Sequence, residues 1–124
     1  MKTIRKYYKL NASPEDVYNA LTNHVMIEIW TGEKAFFETT ENSTFSMWDD
    51  SIVGKNIRFE PNKLIEQLWF FDTQESKVTI KIHPDKKGSS IEIRQENIPD
   101  EAYDNIVDGW DEDYFGALAA LFNE

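Results

Sequence analysis

No cysteine occurs anywhere in the 124 residues, which excludes a disulfide framework, a Cys-ligated zinc or iron–sulfur centre and a thiol nucleophile. Glycine is equally sparse: Gly32, Gly54, Gly88, Gly109 and Gly116 stand far apart, so no glycine-rich loop can cradle a phosphate. Histidine appears twice, at His24 and His83, without HExxH, facial-triad or Ser-His-Asp spacing. No catalytic residue, metal ligand or cofactor is therefore assigned. His83 precedes a proline and is expected on the surface; His24 lies near a helix junction, as a cap or a hydrogen bonder at a cavity mouth. No run of eighteen apolar residues exists, and no apolar stretch of signal-peptide length follows the basic start. A soluble, cytoplasmic protein without membrane contact is the expectation.

Basic residues are missing from one region altogether. Residues 1–94 carry all thirteen Lys and Arg against fourteen acids, whereas the last thirty residues carry nine acids and no base, giving a net charge of -10. An acidic end of this kind repels phosphate backbones, so nucleic acid is not an expected partner. Proteins and small molecules are. The length suits one domain spanning 1–124, large enough to bury a core without covalent staples.

Two periodicities organise the chain. Ile4, Tyr8 and Leu10 share a parity and predict a half-buried first strand. Ser13-Pro14-Glu15-Asp16 then combines a hydroxyl N-cap, a proline at the first helical position and an acid three residues beyond the cap, predicting a helix through Val17, Ala20 and Leu21. Asn23 to Trp30 predicts a second short helix, broken at Gly32. From Lys34 to Glu96 antiparallel strands are expected: a segment with Phe36 and Phe37, one with Phe45 and Met47 on a shared face, and one with Ile57 and Phe59 on a shared face. Residues 64–71, LIEQLWFF, are apolar on both faces except for Glu66 and Gln67, as a central or cavity-lining strand would be. Val78, Ile80 and Ile82 alternate with charged and polar residues, and so do Ile91 and Ile93.

The stretch DNIVDGWDEDYF, residues 104–115, holds five acids and three aromatics. Read as a calcium loop it fails, because Ile106 and Phe115 occupy positions that need oxygen ligands. Read as a helix, Ile106, Val107, Trp110, Tyr114, Leu118 and Leu121 form one stripe, with Asp104, Asp108, Asp111 and Glu112 to its side as a solvated face. Pro99-Asp100 announces that helix with an Asp N-cap and Glu101 in the first turn. About 22 helical residues would reach roughly 33 Å.

The resulting order is α+β: a strand, two short helices, a curved antiparallel sheet of six to seven strands, and a long C-terminal helix gripped by that sheet. Here the chain resembles the activator of heat-shock protein 90 ATPase homologue family, in its C-terminal-type domain, within the START-like (SRPBCC) superfamily. The matching stretches are ASPEDVYNALTN with Trp30, IVGKNIRFEPNKLIEQLWF, SKVTIKI and NIPDEAYDNIVDGWDEDYFGALAALF. Gly54, Asn56, Pro61, Gln67, Trp69, Gly109, Trp110 and Tyr114 stand at the motif positions. Phe70 departs from the Arg that often follows the strand Trp, and Asn42 and Ser43 replace usual glycines.

The resemblance implies a helix-grip fold with a cavity between sheet and helix. Its lining is expected from Trp30, Phe37, Phe45, Met47, Phe59, Trp69, Trp110 and Tyr114, with Tyr114, Gln67 or His24 meeting a polar group on a small apolar ligand. The function expected from it is a non-enzymatic module binding a small hydrophobic ligand in that cavity; the alternatives, in order, are a co-chaperone binding or stimulating a heat-shock protein 90 homologue and a small cyclase- or hydrolase-type enzyme using the same cavity.

Overall fold

The computed structural model describes residues 1–71 and 74–122. Strand β1 (Lys2–Leu10) leads into helices α1 (Pro14–Thr22) and α2 (His24–Thr31). Strands β2 (Thr44–Met47), β3 (Ile52–Glu60), β4 (Leu64–Phe71), β5 (Gln74–Asp85) and β6 (Gly88–Ile98) come next. All pairings are antiparallel, and β6 folds back onto β1 to give the order β1-β6-β5-β4-β3-β2. The chain closes with a helix built from α3 (Tyr103–Asp108), a π-helical segment (Gly109–Tyr114) and α4 (Phe115–Phe122). This is the helix-grip arrangement, a six-stranded curved sheet on a long C-terminal helix. No helix among the described residues is long and apolar enough to cross a membrane.

Local signals explain most of the boundaries. The Ser13 hydroxyl accepts from the Asp16 N–H at 3.1 Å and Pro14 occupies the first turn of α1. Asn23 ends α1 and starts α2, its side chain accepting from Val25 N–H at 2.9 Å. Gly32, at φ 75°, closes α2 in the left-handed conformation that glycine adopts without strain. The alternation in β5 and β6 puts Val78, Ile80, Ile82, Ile91 and Ile93 on the covered face, each at most 3% exposed. The Trp30 indole donates to the Ala20 carbonyl at 2.8 Å and so pins α2 to α1.

Four local expectations are corrected. Phe36 and Phe37 do not lie in a strand; Phe36 makes a single isolated bridge to Ser46, and Phe36 is largely exposed while Phe37 is buried. In β3 a bulge falls at Ile57, because Asn56 pairs with Gln67 while Arg58 already pairs with Glu66. The covered face therefore runs from Gly54 and Asn56 to Phe59, and Ile57 is not part of the core packing. Asp100 is not a side-chain cap: it begins a 3-10 turn (Asp100–Ala102) and pairs with the N-terminal ammonium at 3.2 Å. The last correction concerns the C-terminal helix, where the Phe115 N–H reaches back five residues to the Trp110 carbonyl. That extra residue in the turn rotates α4 about the helix axis, so Trp110, Tyr114, Phe115 and Leu118 are all buried.

Gly54 shows how closely the sheet is packed. A Cβ there would lie 2.0 Å from the Leu68 carbonyl oxygen and 2.9 Å from the Phe45 ring. Only glycine lets β4 approach β3 with Phe45 laid across the pair.

Candidate functional site

Between the C-terminal helix and the β2–β4 end of the sheet lies an open cleft of about 750 Å³. Its walls are aromatic because three elements converge there. Strand β4 supplies Trp69, the π-helical segment supplies Trp110 and Tyr114, and the turn after β2 supplies Trp48. In that turn Trp48, Asp49 and Asp50 all take positive φ, 50°, 51° and 66°. Such residues cost about 1 kcal/mol each, and the turn is closed by the Ser51 N–H donating to the Trp48 carbonyl at 3.0 Å and by the Ser46 hydroxyl donating to Asp50. In this turn the Trp48 ring stands edge-on to Trp30 at 5.5 Å and to Tyr114 at 5.7 Å, contacts that help offset the backbone strain.

Behind the cleft wall, two buried amide relays orient the tryptophans. The Trp69 indole donates to Gln67 Oε1 at 2.9 Å, and Gln67 Nε2 donates to Asn56 Oδ1 at 3.0 Å. Asn56 Nδ2 then donates to the Glu38 carbonyl at 3.1 Å. In parallel, the Trp110 indole donates to Gln95 Oε1 at 2.8 Å, Gln95 Nε2 donates to the Ser76 hydroxyl at 3.1 Å, and that hydroxyl donates to the Glu96 carbonyl at 2.6 Å. An indole N–H can only donate, which fixes the direction of each relay from its first member. Both indoles thus spend their polar edge inside the protein, and their faces are stacked on each other at 4.9 Å.

Tyr114 behaves differently. It is 4% exposed and its hydroxyl has no hydrogen-bond partner among the described residues. Tyr114 is one of the residues that line the cleft. Burial pushes it above the ordinary phenol range. At neutral pH it stays protonated, a hydrogen-bond donor and acceptor rather than a base.

The residues expected to line a cavity divide into groups. Trp69, Trp110 and Tyr114 come together on the cleft wall. Trp30, Phe45 and Met47 are buried in the core, and Phe59 packs against it half-buried. Gln67 sits behind Trp69, engaged at both ends of its amide. His24 is exposed and, with Phe37, borders a separate shallow depression beside α2. Trp48 and Glu33 reach the cleft without having been singled out by the sequence. The Asp-Asp-Ser composition after Trp48 marks a turn, and that turn is what swings the indole inward.

Of the acids on the C-terminal helix, Asp111 is not simply solvated. It accepts from the Tyr8 hydroxyl at 2.7 Å and from Lys6 Nζ at 2.8 Å, tying the π-helical segment to β1. The hydrogen bonds from Lys6 and Tyr8 hold its carboxyl below the usual range. Burial and the Asp111 carboxylate push the Tyr8 hydroxyl up. The Tyr8 ring stacks on Phe115 at 4.1 Å, 6° from parallel. Glu112 and Asp113, two and three residues beyond Trp110, turn toward the cleft rim.

Comparison with known proteins agrees with this architecture. The chain is 29% identical over 127 residues to the activator of 90 kDa heat shock protein ATPase homolog of Dictyostelium discoideum, covering 98% of this chain and 33% of that protein. It is 25% identical over 114 residues to the activator of 90 kDa heat shock protein ATPase homolog 1 of Mus musculus, covering 89% of this chain and 34% of the mouse protein. The chain thus spans about a third of the length of these curated relatives. Among solved structures, an HSP90 activator from Plasmodium falciparum superposes with a TM-score of 0.90 at 18% identity, covering 98% of this chain and 96% of the other. The profile of the Activator of Hsp90 ATPase homolog 1-like proteins matches residues 11–123, and the chain belongs to that family.

Proposed function

We propose that the chain is a co-chaperone-type module that binds a heat-shock protein 90 homologue and raises its ATP turnover. The observation that carries this reading is the family match over residues 11–123, joined to relatives that are themselves named activators of that chaperone's ATPase. The charge distribution supports it physically. Five of the nine acids in the last thirty residues stand on the C-terminal helix, with no base among its own residues, an excess of negative charge that favours the approach of a basic protein surface. The test is steady-state ATP hydrolysis by a purified heat-shock protein 90 homologue from the same organism, with and without the full chain. Unchanged turnover together with no co-sedimentation rejects the reading.

A second reading is favoured by one specific observation, the Tyr114 hydroxyl, without a hydrogen-bond partner among the described residues, in the wall of a cleft that tryptophans line. A cleft of about 750 Å³ falls within the roughly 300–1,000 Å³ range of small-molecule sites. In this reading a small, largely apolar molecule lies against Trp48, Trp69 and Trp110 and meets the Tyr114 hydroxyl with one polar group. Native mass spectrometry of protein isolated from cell extract, and thermal shifts across a library of lipids and aromatics, test it.

A further inference from the structure

We propose that the cleft selects an organic cation, a protonated or quaternary amine carried on an aromatic or alkyl body. The inference rests on the ligand-binding reading of the cleft and names the class of ligand. The charge around the aromatic walls is of one sign. Glu33, Glu112 and Asp113 line the cleft, and no Lys, Arg or His is among its described lining residues. None of the three carboxylates takes part in an ion pair among the described residues, unlike Asp111 one position away, which is held by Lys6.

Four features act together. The Trp69 and Trp110 indole N–H groups are consumed by Gln67 and Gln95, so these two rings cannot donate to an anionic head. Trp69 and Trp110 stack on each other and are at most 7% exposed, so the ring face a cation meets is that of the half-buried Trp48, whose negative quadrupole attracts ammonium groups. Tyr114, more than nine-tenths buried, supplies an oxygen in the cleft wall that can accept from an N–H. The rim carboxylates then neutralise the charge at the mouth, whereas a fatty acid or a phosphate would meet three like charges and no cation.

The experiment is isothermal titration calorimetry of the full chain with three near-isosteric probes: naphthylethylamine, naphthylethanol and naphthylacetate. The amine is expected to bind tightest, roughly tenfold above the alcohol at low salt, and the acetate to bind weakest. The double variant Glu112→Gln, Asp113→Asn should remove most of the amine's advantage over the alcohol, Glu33 and the aromatic ring keeping the rest, and leave the alcohol unchanged. Both side chains are exposed, and the variant's thermal melt checks that the fold is kept. On the unmodified protein, added salt should weaken only the amine. Equal or tighter binding of the alcohol or the acetate overturns the cation selection while leaving a ligand cleft in place; no heat from any of the three overturns the ligand reading and this inference with it.

Discussion

Trp69 and Trp110 stack with ring centroids 4.9 Å apart and 21° between planes, one on the sheet and one on the helix, yet each indole N–H is bound by a different buried glutamine. The stack is where helix and sheet meet, and the two relays behind it decide how the rings stand. Gln67 and Gln95 are 3% and 0% exposed, so neither relay can fall back on bulk water. The cleft wall is therefore set from inside the protein.

Replacing Gln95 with Leu nearly keeps the volume but leaves the Trp110 N–H without a partner, while the Ser76 hydroxyl keeps its bond to the Glu96 carbonyl. A buried donor left unpaired costs about 1–3 kcal/mol, and urea denaturation should show a loss of that size. The Trp110 ring would also turn, so tryptophan emission should shift before unfolding. Gln67→Leu should act in the same direction through Trp69 and Asn56. Wild-type stability in both variants would mean that the relays are not what holds the stack.

Gly54→Ala should destabilise by overpacking, roughly 1–3 kcal/mol. The added methyl meets the Leu68 carbonyl and the Phe45 ring, and backbone cannot yield as a flexible side chain does. Since Gly54 pairs directly with Trp69, the displacement should also reach the cleft. The denaturation midpoint measures the first effect and the tryptophan emission of the folded variant the second. An unchanged midpoint would show that β3 and β4 can part at no cost.

Much of this architecture is legible in the residues, because it rests on signals a few positions long. Ser13-Pro14-Glu15-Asp16 fixes the start of α1 through one hydroxyl and one proline, and Val78, Ile80 and Ile82 alternate because one face of β5 is covered. What stays hidden depends on tertiary partners. The bulge at Ile57 is a mismatch between two strands and leaves no mark in either alone. The π-helical segment is similar: with 3.6 residues per turn Phe115 falls beside the stripe, and only the Phe115-to-Trp110 bond brings it into the core against Tyr8. Asp111 looks like any solvated acid until β1 places Lys6 and Tyr8 beside it. The cleft's aromatic wall is half visible, Trp69, Trp110 and Tyr114 through the family motif, whereas Trp48 enters through a turn whose geometry no short pattern encodes.

The link between Asp111 and β1 should show in acid. Its folded-state pKa lies below the unfolded one, so its contribution to stability is present above the unfolded carboxylate range and is lost as pH falls through the folded value. Asp111→Asn should flatten that part of the stability curve relative to wild type, with a modest effect because the side chain is 41% exposed. Urea midpoints taken between neutral and acid pH make the comparison, and parallel curves would mean that the contact carries no energy.

The alkaline side carries the opposite sign and concerns Tyr8 and Tyr114. Both hydroxyls are raised above the ordinary phenol range, Tyr114 by burial and Tyr8 by burial and then by Asp111. A raised pKa contributes stability that is complete below the unfolded phenol value and is lost as pH climbs toward the folded one. Of the five tyrosines, these two should therefore resist ionisation most strongly, and stability should fall through the same interval. Ultraviolet absorbance titration of the folded protein, compared with Tyr8→Phe and Tyr114→Phe, reads this directly. Tyr114→Phe should remove one resistant hydroxyl with little change in neutral stability, since no hydrogen bond within the described residues is lost. Titration of all five near the value of a free phenol would mean that the Tyr114 ring is not enclosed between Trp110 and Trp30, and the cleft would lose its floor.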